Sequence, residues 1–492
     1  MNQSSLHLKA HRWHKRFGLA LAVVTIMWGL SGIAHPIMSR IKPMAQAQQP
    51  LLPLDLKQLS AVSRTLAAVP FADDALLLNR HTDTPVVAMK TGDQWQYFDA
   101  STGNAIPDVH QSYLASIGAT YTGLPQTKVS SISTVFEFNY DYPSVNRYLP
   151  AYKIQFDDDI NTSVYLDVQS LQLASVSNDY KSFYTKWFSH LHSWDFIPNE
   201  TVRYGLMLLV TLTLFLSALL GVYITLHRWR RGLLHKGSKS RRAHRYIGLF
   251  VCFAALAFSF SGGFHALNKL VGTNGASQNK QLQEASPIKP QDYIQLWQQF
   301  IAQTPTTDIQ QIQLISVHNQ PVLQLHHLTE AAPRHGNHQH GAGKKLIRGN
   351  VSYFPHEVAV DGQLASTQAL YLQSLLSNVR HKEVIKNVRL QPHFNHEYGF
   401  IDKKLPTFRV ETETNTYFFD PTAQSLSKTV SNQQLLESMS FSVLHKASFL
   451  DGLGRDIRDI VIGLFVLGII IITLLGVSVN SRPKPPRSKG KS

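Results

Sequence analysis

The chain has 492 residues, a formal net charge of +15 and a single cysteine, Cys252. That length allows two or more domains with ordinary cores, and one cysteine excludes intrachain disulfides as the stabilising device. The charge points to nucleic acid only until it is located. Residues 1–16, 227–245 and 480–492 carry seventeen Lys and Arg side chains and no acid, and the remainder is close to neutral.

Four apolar segments are long enough to cross a bilayer: 17–37, 204–226, 246–267 and 457–479. The first is not read as a cleaved signal peptide. Its apolar core is too long, no small-residue cleavage site follows, and a copy of it recurs inside the chain. The three basic pieces flank the spans, so the positive-inside rule makes 1–16, the loop 227–245 and the tail 480–492 cytoplasmic. Their cations then serve topology and contact anionic lipid rather than nucleic acid. The long loops 38–203 and 268–456 fall on the far side, which predicts a multi-pass protein of a bacterial inner membrane. Cys252 lies within the third span, where it reads as a small packing residue.

The first span runs HKRFGLALAVVTIMWGLSGIAH from His14 to His35, and the third runs HRYIGLFVCFAALAFSFSGGFH from His244 to His265. A shift of 230 residues aligns His14 with His244, Gly18 with Gly248, Ser31 with Ser261, Gly32 with Gly262 and His35 with His265. At 1.5 Å per residue the two histidines of one helix are about 31 Å apart, close to the ~30 Å hydrocarbon thickness. The closing spans echo each other too, with Leu219-Leu220-Gly221-Val222 recurring as Leu474-Leu475-Gly476-Val477, a shift of 255. The fold expected is therefore a membrane protein of four transmembrane helices, arranged as two tandem span–domain–span halves. The surplus in the second half is placed in the Gly- and His-rich stretch 333–350.

Each far-side loop reads as a small α+β unit. Residues 56–69 have helical apolar spacing, and short alternating runs follow. An aromatic strand ending in Asp and then a turn recurs around Asp99, Asp167, Asp361 and Asp420, where the carboxylate is expected to cap a turn rather than to catalyse.

These strand–Asp–turn units resemble PepSY modules. Together with the HRW…GL…SG..H opening helix, four spans and two outer loops, they make the chain resemble the PepSY-associated transmembrane family, often described as iron-regulated or iron-uptake membrane proteins. The resemblance implies two PepSY-like periplasmic domains. It also points to members like inner-membrane ferric-siderophore reductases, which hold b-type haems between their helices.

Histidine near bilayer depth is costly and points to function, the alternative being a basic membrane-edge cluster. Small residues stand beside every one of the four repeated histidines, as a flat ligand against a helix requires, although they equally permit helix contact. Bis-imidazole ligation from facing helices is a way to hold an electron-transfer haem. The simplest arrangement is two haem b groups, one on His14 and His244, the other on His35 and His265. Their separation would be long. Trp28, Phe253, Phe258 and Phe260 line the gap or simply pack. His192 in FSHLHSWDF and His445 in FSVLHKASF occupy similar outer positions and are alternative ligands, as is His227 at the inner end of the second span. His335, His338 and His340 form a loose metal-binding candidate without the closed spacing of a zinc site. His393 and His396 suit ligand contact or a loop core.

No HExxH, GxSxG, Walker or GxGxxG signature is present. Electrons would have to come from quinol or a redox protein. The favoured function is a haem-containing reductase passing electrons to a periplasmic ferric chelate; the alternative is a non-enzymatic accessory to a transporter or protease.

Overall fold

A computed structural model describes residues 3–41, 43, 53–78, 85–92, 94–106, 109–144, 148–168, 173–271, 288–304, 308–330, 346–377, 384–393, 395, 397–398, 405–421 and 425–481. The chain opens with α1 (Gln3–Ala20) and α2 (Ala22–Ile41), an apolar pair bent by 59° at Leu21. The bend coincides with the Thr25 hydroxyl donating to the Leu21 carbonyl at 2.9 Å, a back-bond that competes with the helix ladder. The first loop then carries α3 (Val62–Ala68), β1 (Asp74–Leu78), β2 (Val86–Thr91), β3 (Gln94–Asp99), α4 (Val109–Thr122), β4 (Val129–Val135), β5 (Ala151–Phe156), β6 (Ser163–Asp167), β7 (Leu173–Ser177) and α5 (Asp179–Phe188). The long helices α6 (Glu200–Arg230) and α7 (Lys239–Leu270) follow. Side chains of Asn199 and Ser238 cap their first turns, accepting from Val202 and Arg241 N–H. The second loop holds α8 (Ile294–Gln303), β8 (Ile309–Val317), β9 (Gln320–Glu330), β10 (Leu346–Phe354), β11 (Glu357–Val360), β12 (Gln363–Ser366), α9 (Thr367–Ser377), β13 (Asn387–Gln391), β14 (Thr407–Glu411), β15 (Asn415–Asp420), β16 (Ser425–Ser431) and α10 (Asn432–Ser440), and α11 (Arg455–Ser481) closes the chain.

Among the described residues three helices, α6, α7 and α11, are each long and apolar enough to span a membrane, and the bent α1–α2 pair makes a fourth if taken as one span. They form a closed ring: α1 packs on α6, α6 on α7, α7 on α11, and α11 on α2. One end of this bundle, the basic end, carries the Arg-rich α6–α7 connection; both folded loops leave from the other, the loop end.

The two loops are not separate beads. One antiparallel sheet runs β10-β9-β8-β1-β2-β3, so strands of both loops share it. Its centre is the β1–β8 contact, where Leu77 faces Ile312. The order reads the same from either edge, giving a pseudo-two-fold axis between β1 and β8. One core beneath this sheet takes Leu66, Leu77 and Met89 from the first loop and Trp297, Phe300, Ile312 and Leu325 from the second. Each such side chain, when fully buried, contributes about 1.5–3 kcal/mol. Each loop also has its own four-stranded sheet, β4-β5-β6-β7 or β13-β14-β15-β16. The strand-end aspartates behave as turn residues where their contacts are defined: Asp99 accepts from Ser101 and Thr102 N–H at 2.7 and 2.9 Å.

A short motif recurs at the same place in both halves. Phe138-Asn139-Tyr140-Asp141-Tyr142 matches Phe394-Asn395-His396-Glu397-Tyr398. In each, the Asn side chain accepts from the Tyr backbone N–H at 2.8 Å. The tyrosine then stacks on an aromatic of the sheet, Tyr142 on Tyr165 at 4.3 Å and Tyr398 on Phe418 at 4.7 Å. Leu77 and Ile312 are 235 residues apart, Tyr165 and Phe418 are 253 apart. Eighteen of the second half's 25 extra residues therefore enter between these two points.

Candidate functional site

The bundle holds two imidazole pairs. Near the basic end, His14 of α1 and His244 of α7 stand with ring centroids 6.2 Å apart and planes at 61°. Each ring is tied through Nδ1 to a backbone carbonyl of the neighbouring helix. His14 donates to Ser217 of α6 and His244 to Ile472 of α11, both at 2.9 Å. Because a carbonyl only accepts, Nδ1 carries the proton and Nε2 keeps its lone pair. Gly221 and Gly476 make the approach possible. A Cβ on either would lie 3.1 or 3.4 Å from Cε1 of His14 or His244.

The loop-end pair is built differently. After α5 and α10 the chain makes single π-helical turns, Ser189–Ser193 and Phe441–His445. Each turn is followed by a non-glycine residue in the left-handed region, Trp194 at φ 53° and Ala447 at φ 49°. Both features are rare and cluster at functional sites. They lower His192 and His445 to the level of Ser31 and Ser261. The two rings face each other at 6.3 Å and 79°. Their Nδ1 atoms lie 3.0 and 3.1 Å from the Ser31 and Ser261 hydroxyls. Those hydroxyls already donate to the Trp28 and Ala257 carbonyls at 3.0 and 2.8 Å. With the hydroxyl protons on those carbonyls, the serines accept from the imidazoles, an arrangement that puts the proton on Nδ1 and leaves the lone pair on Nε2.

His35 and His265 do not face each other. They flank the loop-end pair, each behind a phenylalanine: His35 against Phe188 at 5.3 Å, and Phe188 stacked on His192 at 4.8 Å. On the other side, His265 lies 5.5 Å from Phe441, which stacks on His445 at 4.7 Å. His265 also bonds Glu437 at 2.7 Å. The result is a row of six rings related by the pseudo-two-fold. His227 stands apart from both pairs, stacked on His7 at 4.4 Å.

Of the aromatics named from sequence, Phe258 touches His445 at 5.6 Å and Trp28 stacks on Trp194 at 5.2 Å. Phe253 and Phe260 are exposed on the bundle surface. Gly18, Gly32 and Gly248 face open space, whereas Gly262 lies against Thr211. In the sheet, His327 bonds Asp308 and Ser352 at 2.8 and 2.6 Å, and the buried His326 bonds Gln324, which makes both structural. The His393 carbonyl accepts from the Gln391 amide at 3.0 Å. His335, His338, His340 and His396 lie outside the described residues. Among the described residues no group of three or more His, Cys, Asp or Glu side chains is placed to hold a metal ion.

The spacing of the pairs is that of two imidazoles sharing one metal ion. Two metal–nitrogen bonds of about 2 Å, plus roughly 1.1 Å from each Nε2 to its ring centre, put the centroids about 6 Å apart. Both observed separations, 6.2 and 6.3 Å, agree, and Nδ1 of each ring is anchored, as is usual for metal-bound imidazoles.

Fold and site together define a helical membrane protein with paired histidines inside its bundle. Residues 11–479 match the PepSY-associated TM region, and the chain belongs to that family. No curated protein matches it.

Proposed function

We propose that the protein is a two-haem electron carrier of the bacterial inner membrane that reduces a ferric chelate, of the siderophore class, on the loop side. The observation that carries this reading is the pair of facing imidazole pairs, each about 6 Å across, with all four Nδ1 atoms hydrogen-bonded and all four Nε2 atoms left as ligands. His14 with His244 would hold one haem b and His192 with His445 the other. Bound between two neutral imidazoles, the haem supplies reversible one-electron transfer.

The chain's own residues set the rest. The Ser217 and Ile472 carbonyls and the Ser31 and Ser261 hydroxyls fix ring orientation and tautomer. All four histidines are half-buried between the helices. Along α7 the level of the loop-end pair, Ser261, is 17 residues from His244, about 25 Å against ~31 Å for His265. Choosing His192 and His445 thus shortens the path that repeated end-of-helix ligands made too long, and Trp28 and Phe258 lie beside its loop end. The basic segments support a cytoplasmic basic end, with the folded loops in the periplasm to receive the acceptor. The acceptor class follows from the resemblance to iron-regulated membrane proteins.

Protein purified from haem-replete cells should show low-spin b-type spectra. His14→Ala and His192→Ala should each remove one of two signals, while His35→Ala keeps both. Colourless protein of normal fold would overturn the proposal.

A further inference from the structure

The pseudo-two-fold makes the α6–α7 and α2–α11 contacts counterparts, yet only one is filled. On α7, a Cβ at Gly263 would lie 3.0 Å from Thr211 Oγ1 and 3.9 Å from Leu208 of α6. At the matching places α11 has Gly463 for Leu208 and Val466 for Thr211. In front of Gly463, and of Gly32 across from it, a Cβ would meet nothing within 4 Å. With no side chain at Gly463 or Gly32, an open-sided cleft of about 370 Å³ lies between α2 and α11, walled by Gly32, Ile33, Ile37, Ile460, Gly463 and Val466. Deeper in the bundle the two helices close again, since a Cβ at Gly29 would be 2.8 Å from Ile470. The cavity is thus a cleft with a floor, encoded by particular residues on one side of the axis.

Its rim is equally one-sided. Arg40 at the loop end of α2 pairs with Asp456 at 2.6 Å and Asp459 at 2.9 Å. The counterpart positions are Leu270, Thr201 and Tyr204, none of them ionised. An apolar cleft between membrane-spanning helices, capped by a guanidinium and two carboxylates, selects its occupant by chemistry. The walls take an apolar body. Arg455 and Arg458 also pair with Asp459, at 3.7 and 3.1 Å, and Arg458 with Asp451, so three guanidinium groups are balanced by three carboxylates and the rim suits an uncharged head bearing a carbonyl oxygen or a hydroxyl.

We propose that this cleft binds a neutral, ring-headed lipid of the quinone and quinol class, entering sideways from the bilayer. Its position gives the site a purpose. On α2, Ser31 turns its hydroxyl to His192 while the adjoining Gly32 opens into the cleft, so the occupant lies next to the loop-end pair. The binding claim stands on the cleft alone; its meaning as electron exchange rests on the haem reading above.

The test is the quinone content of the full-length protein, extracted after purification in detergent and quantified per chain by mass spectrometry. Wild-type should carry near-stoichiometric quinone. Gly463→Leu restores the side chain that α6 has at the counterpart position, so it should fold, keep its phospholipid phosphorus and lose quinone by about tenfold or more. Arg40→Leu keeps the cleft and should weaken retention. As a second readout, an added short-chain benzoquinone should raise the wild-type Tm with concentration and leave Gly463→Leu unchanged. Equal quinone in wild-type and Gly463→Leu, none in wild-type, or a loss of phospholipid instead of quinone would overturn the proposal. Haem content is read separately: colourless protein that retains quinone would keep the cleft and sink the haem reading.

Discussion

Ser31 and Ser261 provide a test that separates the two imidazole pairs. Both hydroxyls are essentially inaccessible to solvent, 0% and 1% exposed, and each accepts the Nδ1–H of one loop-end histidine. Changing either to Ala leaves a buried N–H with no water to replace its partner. That costs about 1–3 kcal/mol, or roughly 5- to 150-fold in affinity for whatever the ring's other nitrogen holds. Loss of an outer hydrogen-bond partner from a metal-bound histidine falls in the same range, about 10–100-fold. The basic-end pair is the internal control, because its acceptors are backbone carbonyls that no side-chain substitution removes. In Ser31→Ala and Ser261→Ala, haem transfer to a scavenging apoprotein should accelerate for one haem of two, with the other unchanged. The reasoning is refuted if both haems loosen together, or if the one assigned to His14 and His244 is the one that leaves.

Other outcomes follow from the packing. Gly221→Val should displace His14 and drop haem stoichiometry from two to one, whereas Gly18→Ala, facing open space, should change neither haem; equal effects would refute the role given to Gly221. Leu77→Ala, at the buried centre of the shared sheet, should cost about 2–5 kcal/mol and lower a single unfolding transition for both loops. Two separately shifted transitions in calorimetry would mean that the loops fold independently. Burial pushes the Asp74 carboxyl up to about 6 against an ordinary 3.8, partly offset by the Gln313 amide. The folded state therefore binds that proton more tightly than the unfolded chain does, and this group's contribution to stability declines as pH rises from about 4 through about 6. Asp74→Asn should flatten that slope in thermal unfolding; an unchanged slope would count against it.

The sequence makes some of this visible and hides the rest for identifiable reasons. His14 and His244 stand out because one shift of 230 residues aligns them together with their glycines and serines, all within a single helix pattern. The closing spans likewise betray Gly221 and Gly476, although what those glycines accommodate is visible only once His14 and His244 are seen against them. His192 and His445 look like residues outside the bundle, since helical periodicity says nothing about a chain that descends by a π-turn and reverses at Trp194 or Ala447. Nor does alternation reveal that β1 pairs with β8, because a strand's pattern fixes its faces and not its neighbours. The bend at Leu21 is equally silent, since neither Pro nor Gly stands at that position to mark it.

Two facing histidine pairs, His14 with His244 and His192 with His445 in place of His35 with His265, are proposed to hold two haems. The most direct test is the absorption and low-temperature electron paramagnetic resonance of purified wild-type, His192→Ala and His35→Ala protein. The account predicts two low-spin bis-histidine signals in wild-type and His35→Ala, and one in His192→Ala. Loss of a signal in His35→Ala with both retained in His192→Ala would contradict it.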